Sequence, residues 1–338
     1  MRASDEAYTH AHARDNNLFF VPKSVTLMYD SVNCKLTLAE VSGIDFLSET
    51  PCYLDDVAEH QYSSGLVVTG KAGGLSVSLN RFQVKVGDGS LCKWYLGNNY
   101  QTMGRRDTQR AFEKLSDTLH LPMGKSLVTR LDLAQNFIVR YPPEVYMHHL
   151  GQLKYFKRYP TDGSLYYMGN GSKLCFYDKN REQREKKEPI PELYEDRNVL
   201  RYEQRYIKRL PYLLNVPEVT GALLYDETFY IGLLNKWRQL YRQIQKINDI
   251  TINFQVMKTK QELYKMGVLS LVEHVGGQLE AIEQINEAAK RGELTRKQAY
   301  DLRLAINEAC KEKAGLTEPN EAIKELDKKI SEAVRFYR

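Results

Sequence analysis

Between about residues 20 and 220 the chain alternates apolar and polar positions in short runs, the period of a half-buried strand. VPKSVTLMYD, CKLTLAEVS and SGLVVTGKAGGLSVSLNRFQVKVGDGSLCKWYLGNN are rich in β-branched and aromatic residues and broken by GK, GG, GDG and GNN. Glycine and aspartate at such breaks suit hairpin turns. The period then lengthens, and Ala111, Leu115 and Leu119 in TQRAFEKLSDTLHLP predict a helix. LVTRLDLAQNFIV returns to alternation, and PPEVYMHHLGQL predicts a helix opened by prolines, whose missing N–H groups do no harm there. SLYYMGNGSKLCFYD predicts two strands around GNG, and NVLRYEQRYIKR a strand, alone or running into a short helix. This order predicts an α+β fold: a mainly antiparallel sheet with helices on one face.

From about Tyr225 onward the spacing is helical throughout, with LTEPN (316–320) as a linker. The predicted organisation is a polar tail over 1–19, an α+β domain over 20–224 with sub-lobes 20–100 and 101–224, and a helical region over 225–338. The last helix carries Ile323, Leu326, Ile330 and Val334 at spacings of three and four, an apolar stripe that needs cover. That cover is the chain's own core, a second subunit in a homodimer, or a host protein such as a helicase.

Side chains alternate along a strand, so residues i and i+2 share a face. In RLDLAQN, Arg130, Asp132, Ala134 and Asn136 share one face, and Leu131, Leu133 and Phe137 the other. In KLCFYDK the polar set is Lys173, Cys175, Tyr177 and Lys179; in LRYEQRY it is Arg201, Glu203 and Arg205. If the three strands are neighbours, one sheet face is apolar and the other gathers two acids, an asparagine, a tyrosine and several cations. A solvated face is the plain alternative, common in antiparallel proteins, but such a face usually mixes in serine and threonine.

The chemistry this set suits is phosphoryl transfer to tyrosine. A free phenol, with a pKa near ~10, is a poor nucleophile at neutral pH. A divalent cation, Mg²⁺ or Mn²⁺, held by Asp132 and Glu203 would polarise a phosphate. Lys179 would stabilise the developing charge, and the product would be a covalent phosphotyrosine.

Composition narrows the class only a little. The 338 residues are 42% hydrophobic and 27% charged, with a net charge of +5, an ordinary soluble balance that permits a nucleic-acid partner without requiring one. No apolar run reaches membrane-spanning length, and the polar N-terminus lacks a signal core. Cys34, Cys52, Cys92, Cys175 and Cys310 show no zinc-type spacing. A cytoplasmic protein with reduced thiols and no membrane partner is expected.

TRLDLAQN, FYDKNRE and VLRYEQRYIKR, in that order, resemble the rolling-circle replication initiators of the phage and plasmid gene II and gene X family, over roughly residues 20 to 235. They are similar also to plasmid initiators and conjugative relaxases with a degenerate histidine–hydrophobe–histidine motif. The resemblance implies that fold, with a site-specific, metal-dependent endonuclease that nicks one DNA strand at an origin and stays attached through tyrosine. Tyr177 would be the nucleophile, with Tyr167 next in line, Lys179 its neighbouring cation, and Asp132 and Glu203 the metal carboxylates. Asn136 stands where related initiators tend to have a second acid, and would add an oxygen ligand. The same chemistry serves a relaxase, while a non-catalytic origin-binding protein would use Tyr177 for packing alone.

A literal histidine–hydrophobe–histidine, His10–Ala11–His12, precedes the first convincing strand and is set aside. His148 and His149, adjacent on a predicted helix, point apart and read as surface residues or a phosphate contact. Basic residues interleave with aromatics in KYFKRY (154–159) and RYIKR (205–209), and cluster in GRRDTQR (104–110). Cations neutralise phosphates and aromatics stack on unpaired bases. The expected DNA contacts are Arg105, Arg106, Arg110, Arg130, Lys173, Arg201 and Arg205, on an origin that is hairpin-shaped or single-stranded at the nick.

Overall fold

The computed structural model describes residues 28–250, 258–311, 317–318 and 320–335; the predicted tail over 1–19, with His10 and His12, lies outside them. Ten strands form one antiparallel sheet: β1 (Met28–Thr37), β2 (Asp55–Tyr62), β3 (Gly65–Ala72), β4 (Leu75–Asn80), β5 (Gln83–Gly87), β6 (Leu127–Val139), β7 (Lys157–Thr161), β8 (Ser164–Met168), β9 (Ser172–Asp178) and β10 (Asn198–Tyr206). Their order is β2-β3-β4-β5-β1-β6-β10-β9-β8-β7. The first five strands and the last five meet at the β1–β6 pair, so the sheet is continuous across residue 100.

The apolar face is assembled from the residues that alternation assigns to it. Phe176 stacks on Tyr202 at 4.5 Å and Tyr202 on Trp237 at 4.5 Å, tying β9 and β10 to α6 (Glu227–Gln243). The helix α2 (Arg105–Leu119) buries Ala111, Phe112, Leu115 and Leu119 on the same side. Its Gly104 amide donates to the Asp107 carboxylate at 3.1 Å, which satisfies an otherwise free helix-start donor. Tyr29, opposite Leu133 in the sheet, donates its hydroxyl to the Leu224 carbonyl beneath these helices.

The last helix, α10 (Glu321–Arg335), packs against α6, β6 and α3 (Pro143–His148). Ile323, Leu326, Ile330 and Val334 are all buried in the main core, so the chain itself covers that stripe and leaves none of it for a helicase or a second subunit. Between α6 and α10 lie α7 (Lys260–His274), α8 (Gln278–Lys290) and α9 (Arg296–Lys311), which pack on one another. Among the described residues no helix is long and apolar enough to cross a membrane.

Several local expectations are corrected. SLCKWYLGNN, read as strand, folds at Leu91–Leu96 as α1, because Ser90 caps it by accepting from the Lys93 amide and Gly97 ends it at φ +83°. LTEPN, read as a linker, contributes Thr317–Glu318 to a two-stranded pair with Asp249–Ile250. His149 is buried rather than on the surface, with Nδ1 3.0 Å from the Ile247 carbonyl. NVLRYEQRYIKR, by contrast, follows the second of its two readings: its strand stops at Tyr206 and the short helix α5 (Leu210–Leu214) comes next.

Candidate active site

The polar face of β6, β10 and β9 is set by register. Arg201 lies opposite both Asn136 and Tyr177, Glu203 opposite Ala134 and Cys175, and Arg205 opposite Asp132 and Lys173. Cross-strand neighbours share a face, so the three strands place their chemistry on one surface. A bulge in β1 between Tyr29 and Ser31 adds Asp30 to it: its carboxylate accepts from Ser90 Oγ at 2.8 Å and lies 3.0 Å from Arg201 Nη2.

Three carboxylates thus meet three guanidinium groups, and their formal charges cancel. Arg130 grips Asp132 with Nε at 3.0 Å and Nη2 at 2.6 Å. Arg205 grips Glu203 with two bonds of 3.0 Å and lies 3.9 Å from Asp132. Arg201, 0% exposed, also lies 3.7 Å from Glu203. Forked pairs of this kind are the strong class of charge-assisted bond, and pairing is what permits Asp132 (1% exposed) and Glu203 (2%) to be buried. Burial pushes the Asp132 carboxyl up to about 6, the Arg130 bonds opposing the rise and the Glu203 charge adding to it. Asp30, which burial alone would raise, is held below its ordinary value by Arg201 and Ser90.

The Tyr177 hydroxyl donates to Glu203 Oε2 at 3.4 Å. Burial raises this phenol well above its ordinary value; Arg201 pulls it back, and Glu203 adds to the rise. At rest the phenol is therefore neutral, hydrogen-bonded to a carboxylate and beside a fixed positive charge. Tyr177, Asp132, Glu203, Arg130 and Arg205 line one cavity of about 780 Å³, with Asp30, Trp94, Glu182 and Lys186 on its walls.

Four sequence expectations change in the structure. Lys179 is not on the β9 face: Asp178 accepts from the Arg181 amide and starts α4 (Lys179–Glu185), so Lys179 opens a helix and is fully buried. Its Nζ pairs with Glu182 at 2.6 Å, and burial, with Arg201 nearby, lowers its pKa to about 8. Asn136 offers its oxygen to Arg201 Nη1 at 3.3 Å and donates to the Asn99 and Tyr100 carbonyls, so its amide is engaged inside the wall and does not line the cavity that Asp132 and Glu203 share. Arg201 is an internal counter-ion rather than a DNA contact, since it has no exposed surface. Tyr167, the second candidate nucleophile, lies on the apolar face with its hydroxyl donated to the Leu150 and Gly151 carbonyls.

The remaining DNA candidates divide. Arg130, Arg205 and Lys173 lie on the site face, with Lys173 4.1 Å from the Tyr166 ring centre. Arg105, Arg106 and Arg110 sit on α2 and do not line the tyrosine cavity; Arg105 pairs with Glu227 at 3.1 Å. Sequence reasoning missed Asp30, Ser90 and Glu182. Only Glu182 had a signal, three residues after Lys179, where helical spacing brings the two together.

Among the described residues no three His, Cys, Asp or Glu side chains form a ready metal cage. Mg²⁺ needs none, being held by one or two carboxylates with waters and substrate phosphate. Asp132 and Glu203 supply hard oxygen donors to the same cavity. The arginine heads now on them are about a third exposed, 34% for Arg130 and 28% for Arg205, and can withdraw to solvent or phosphate. The donor set fits such a cation.

The family of the phage gene II replication-associated protein, N-terminal region, matches residues 28–225, more than half of the chain and the whole of the ten-stranded sheet. No curated protein matches the chain.

Proposed function

The chain belongs to that gene II family of phage replication-associated proteins, and from this premise we propose that it nicks one DNA strand at an origin through Tyr177. The observation that carries the reading is the Tyr177 hydroxyl on the buried Glu203 carboxylate, beside Arg201 and open to a polar cavity.

In the proposed reaction Glu203 takes the phenol proton as the Tyr177 oxygen attacks the scissile phosphorus. The new bond is a phosphotyrosine; the broken bond is that between phosphorus and the leaving sugar oxygen, which receives the proton back from Glu203. Arg201 stabilises the transient phenolate, having no solvent-facing surface to serve. Lys179 acts at one remove, holding Glu182 at the cavity wall. Arg130 and Arg205, freed from the carboxylates, neutralise the phosphate. Asp132, joined by Glu203 while it is ionised, would hold a divalent cation whose chemistry there is Lewis-acid polarisation of that phosphate. Reversal of the same steps rejoins the strand. Recruitment of a host helicase or a second copy falls to α7–α9, where Leu263, Tyr264, Leu271 and Tyr300 are exposed.

The test is incubation of the full chain with supercoiled DNA carrying the replicon's own origin and Mg²⁺ or Mn²⁺. Wild type yields open circles and a protein–DNA adduct resistant to denaturant. Tyr177→Phe is expected to bind the same DNA and yield neither; nicking by that variant overturns the assignment.

A further inference from the structure

The sheet face that carries Tyr177 has different chemistry on its two sides. Towards β1, β5, β4 and β3 it is a trough with a volume of about 760 Å³, sharing Asn33 and Asp88 with the tyrosine cavity. Register lines up Lys35, Lys85, Ser78 and Thr69 in a single row across those four strands. Lys71 and Ser76 are opposite one another in the next row, where Lys71 is paired with Asp56 at 2.8 Å, so Lys35 and Lys85 carry the phosphate-binding charge beside Asp56 and Asp88 on the trough wall. Gly87 leaves the floor open to Asn33, whose side chain lies where a Cβ would stand, 2.6 Å away. Among the described residues no aromatic side chain lines this trough.

Towards β8 and β7 the same face is aromatic. Tyr166 is opposite Cys175 on one side and Tyr159 on the other, so both rings continue the row of Glu203. Lys173 is 4.1 Å from the Tyr166 centre and Lys157 5.2 Å from that of Tyr159. Tyr159 is 43% exposed and the adjoining Tyr155 86%. Tyr166 and Tyr177 line a common cavity, so this surface also runs unbroken into the site.

We infer that the face holds its DNA with a fixed polarity: unpaired bases stack on Tyr166 and Tyr159, the paired stretch lies in the lysine–hydroxyl trough, and the scissile phosphate sits between them over Tyr177. Rings with cations beside them suit splayed bases and their phosphates, since every base has a face to stack. Lysines and hydroxyls without rings suit a duplex backbone, which presents phosphates and hides base faces. The trough's four strands span three gaps of about 4.8 Å, or ~14 Å, the length of about four base-pair steps at 3.4 Å. The position of the scissile phosphate rests on the cleavage proposed above; the division of the face does not.

The experiment therefore measures binding alone, in the Tyr177→Phe background and without divalent cation. Two fluorescent probes are used, a blunt DNA hairpin and an unstructured strand of thymidines, each titrated by anisotropy over a range of salt. Tyr159→Ala with Tyr166→Ala is expected to weaken the thymidine strand by about tenfold per ring and leave the hairpin within about twofold. Lys35→Ser with Lys85→Ser is expected to weaken the hairpin, lower its salt slope by about 2, and spare the thymidine strand. Restoration of hairpin binding by Lys35→Arg with Lys85→Arg would show charge rather than misfolding at work. Equal loss of both probes in either pair, or the opposite pairing of variant and probe, overturns the inference. Nicking by Tyr177→Phe would sink the cleavage reading and leave this measurement standing.

Discussion

Arg201→Met tests the charge-balanced cluster at its most enclosed point. Methionine keeps much of the side-chain length and removes only the guanidinium. The loss strips Asp30 of its ion pair at 3.0 Å, leaving Ser90 as a remaining partner, and takes one of two arginines from Glu203. It also removes the donor to the Asn99 carbonyl and Asn136 Oδ1. Breaking a fully buried pair costs about 3–5 kcal/mol, chiefly because the surviving charge is left in a poor medium. For a domain of this size, that predicts a melting temperature lowered by roughly 6–20 °C. The assay is thermal and urea unfolding of the full chain, run for Arg201→Met, Asp30→Asn and the double variant. Asp30→Asn removes the stranded charge, so the double variant should be more stable than the sum of the singles predicts by at least about 1 kcal/mol. A cost under about 1 kcal/mol for Arg201→Met, or strict additivity, would refute the account of Arg201 as an internal counter-ion.

Asp132, raised from 3.8 to about 6, holds its proton more tightly folded than unfolded. Its contribution is therefore fully present below about pH 4 and lost as pH rises through about 6, a total change on the order of 2–3 kcal/mol that slopes the stability over this window. Urea midpoints should lose this slope in Asp132→Asn, and an unchanged profile would count against the burial argument. Because a metal ligand must be ionised, binding of Mn²⁺ to the wild type should release a proton near pH 6, read by calorimetry in buffers of different ionisation heat; release absent at pH 6 would remove Asp132 from the metal site. Leu326→Ala, at a position 0% exposed in the core, should cost about 2–5 kcal/mol, and removal of residues 320–338 should give insoluble protein. A soluble truncation with an unchanged urea midpoint would place α10 outside the core.

What the sequence alone determined was the two-faced character of the central strands. Period-two alternation is a local property, and it sorted Asp132, Tyr177 and Glu203 from Leu133, Phe176 and Tyr202 without knowledge of the partners. The amphipathic stripe of α10 was equally legible, because helical spacing is also local. Tertiary structure decided what alternation does not encode. A bulge in β1 brought Asp30 to the site, although nothing in MYDS marks where one residue is skipped. The Asp178 cap ended β9 one residue before Lys179 and turned an expected face residue into a buried helix residue. The segment at Asn99 and Tyr100 folded over Asn136 and Arg201 and closed that end of the face, so two side chains with the right period lost access to any ligand. Periodicity says which way a side chain leaves the backbone; only packing says whether water, a partner charge or another loop is waiting there.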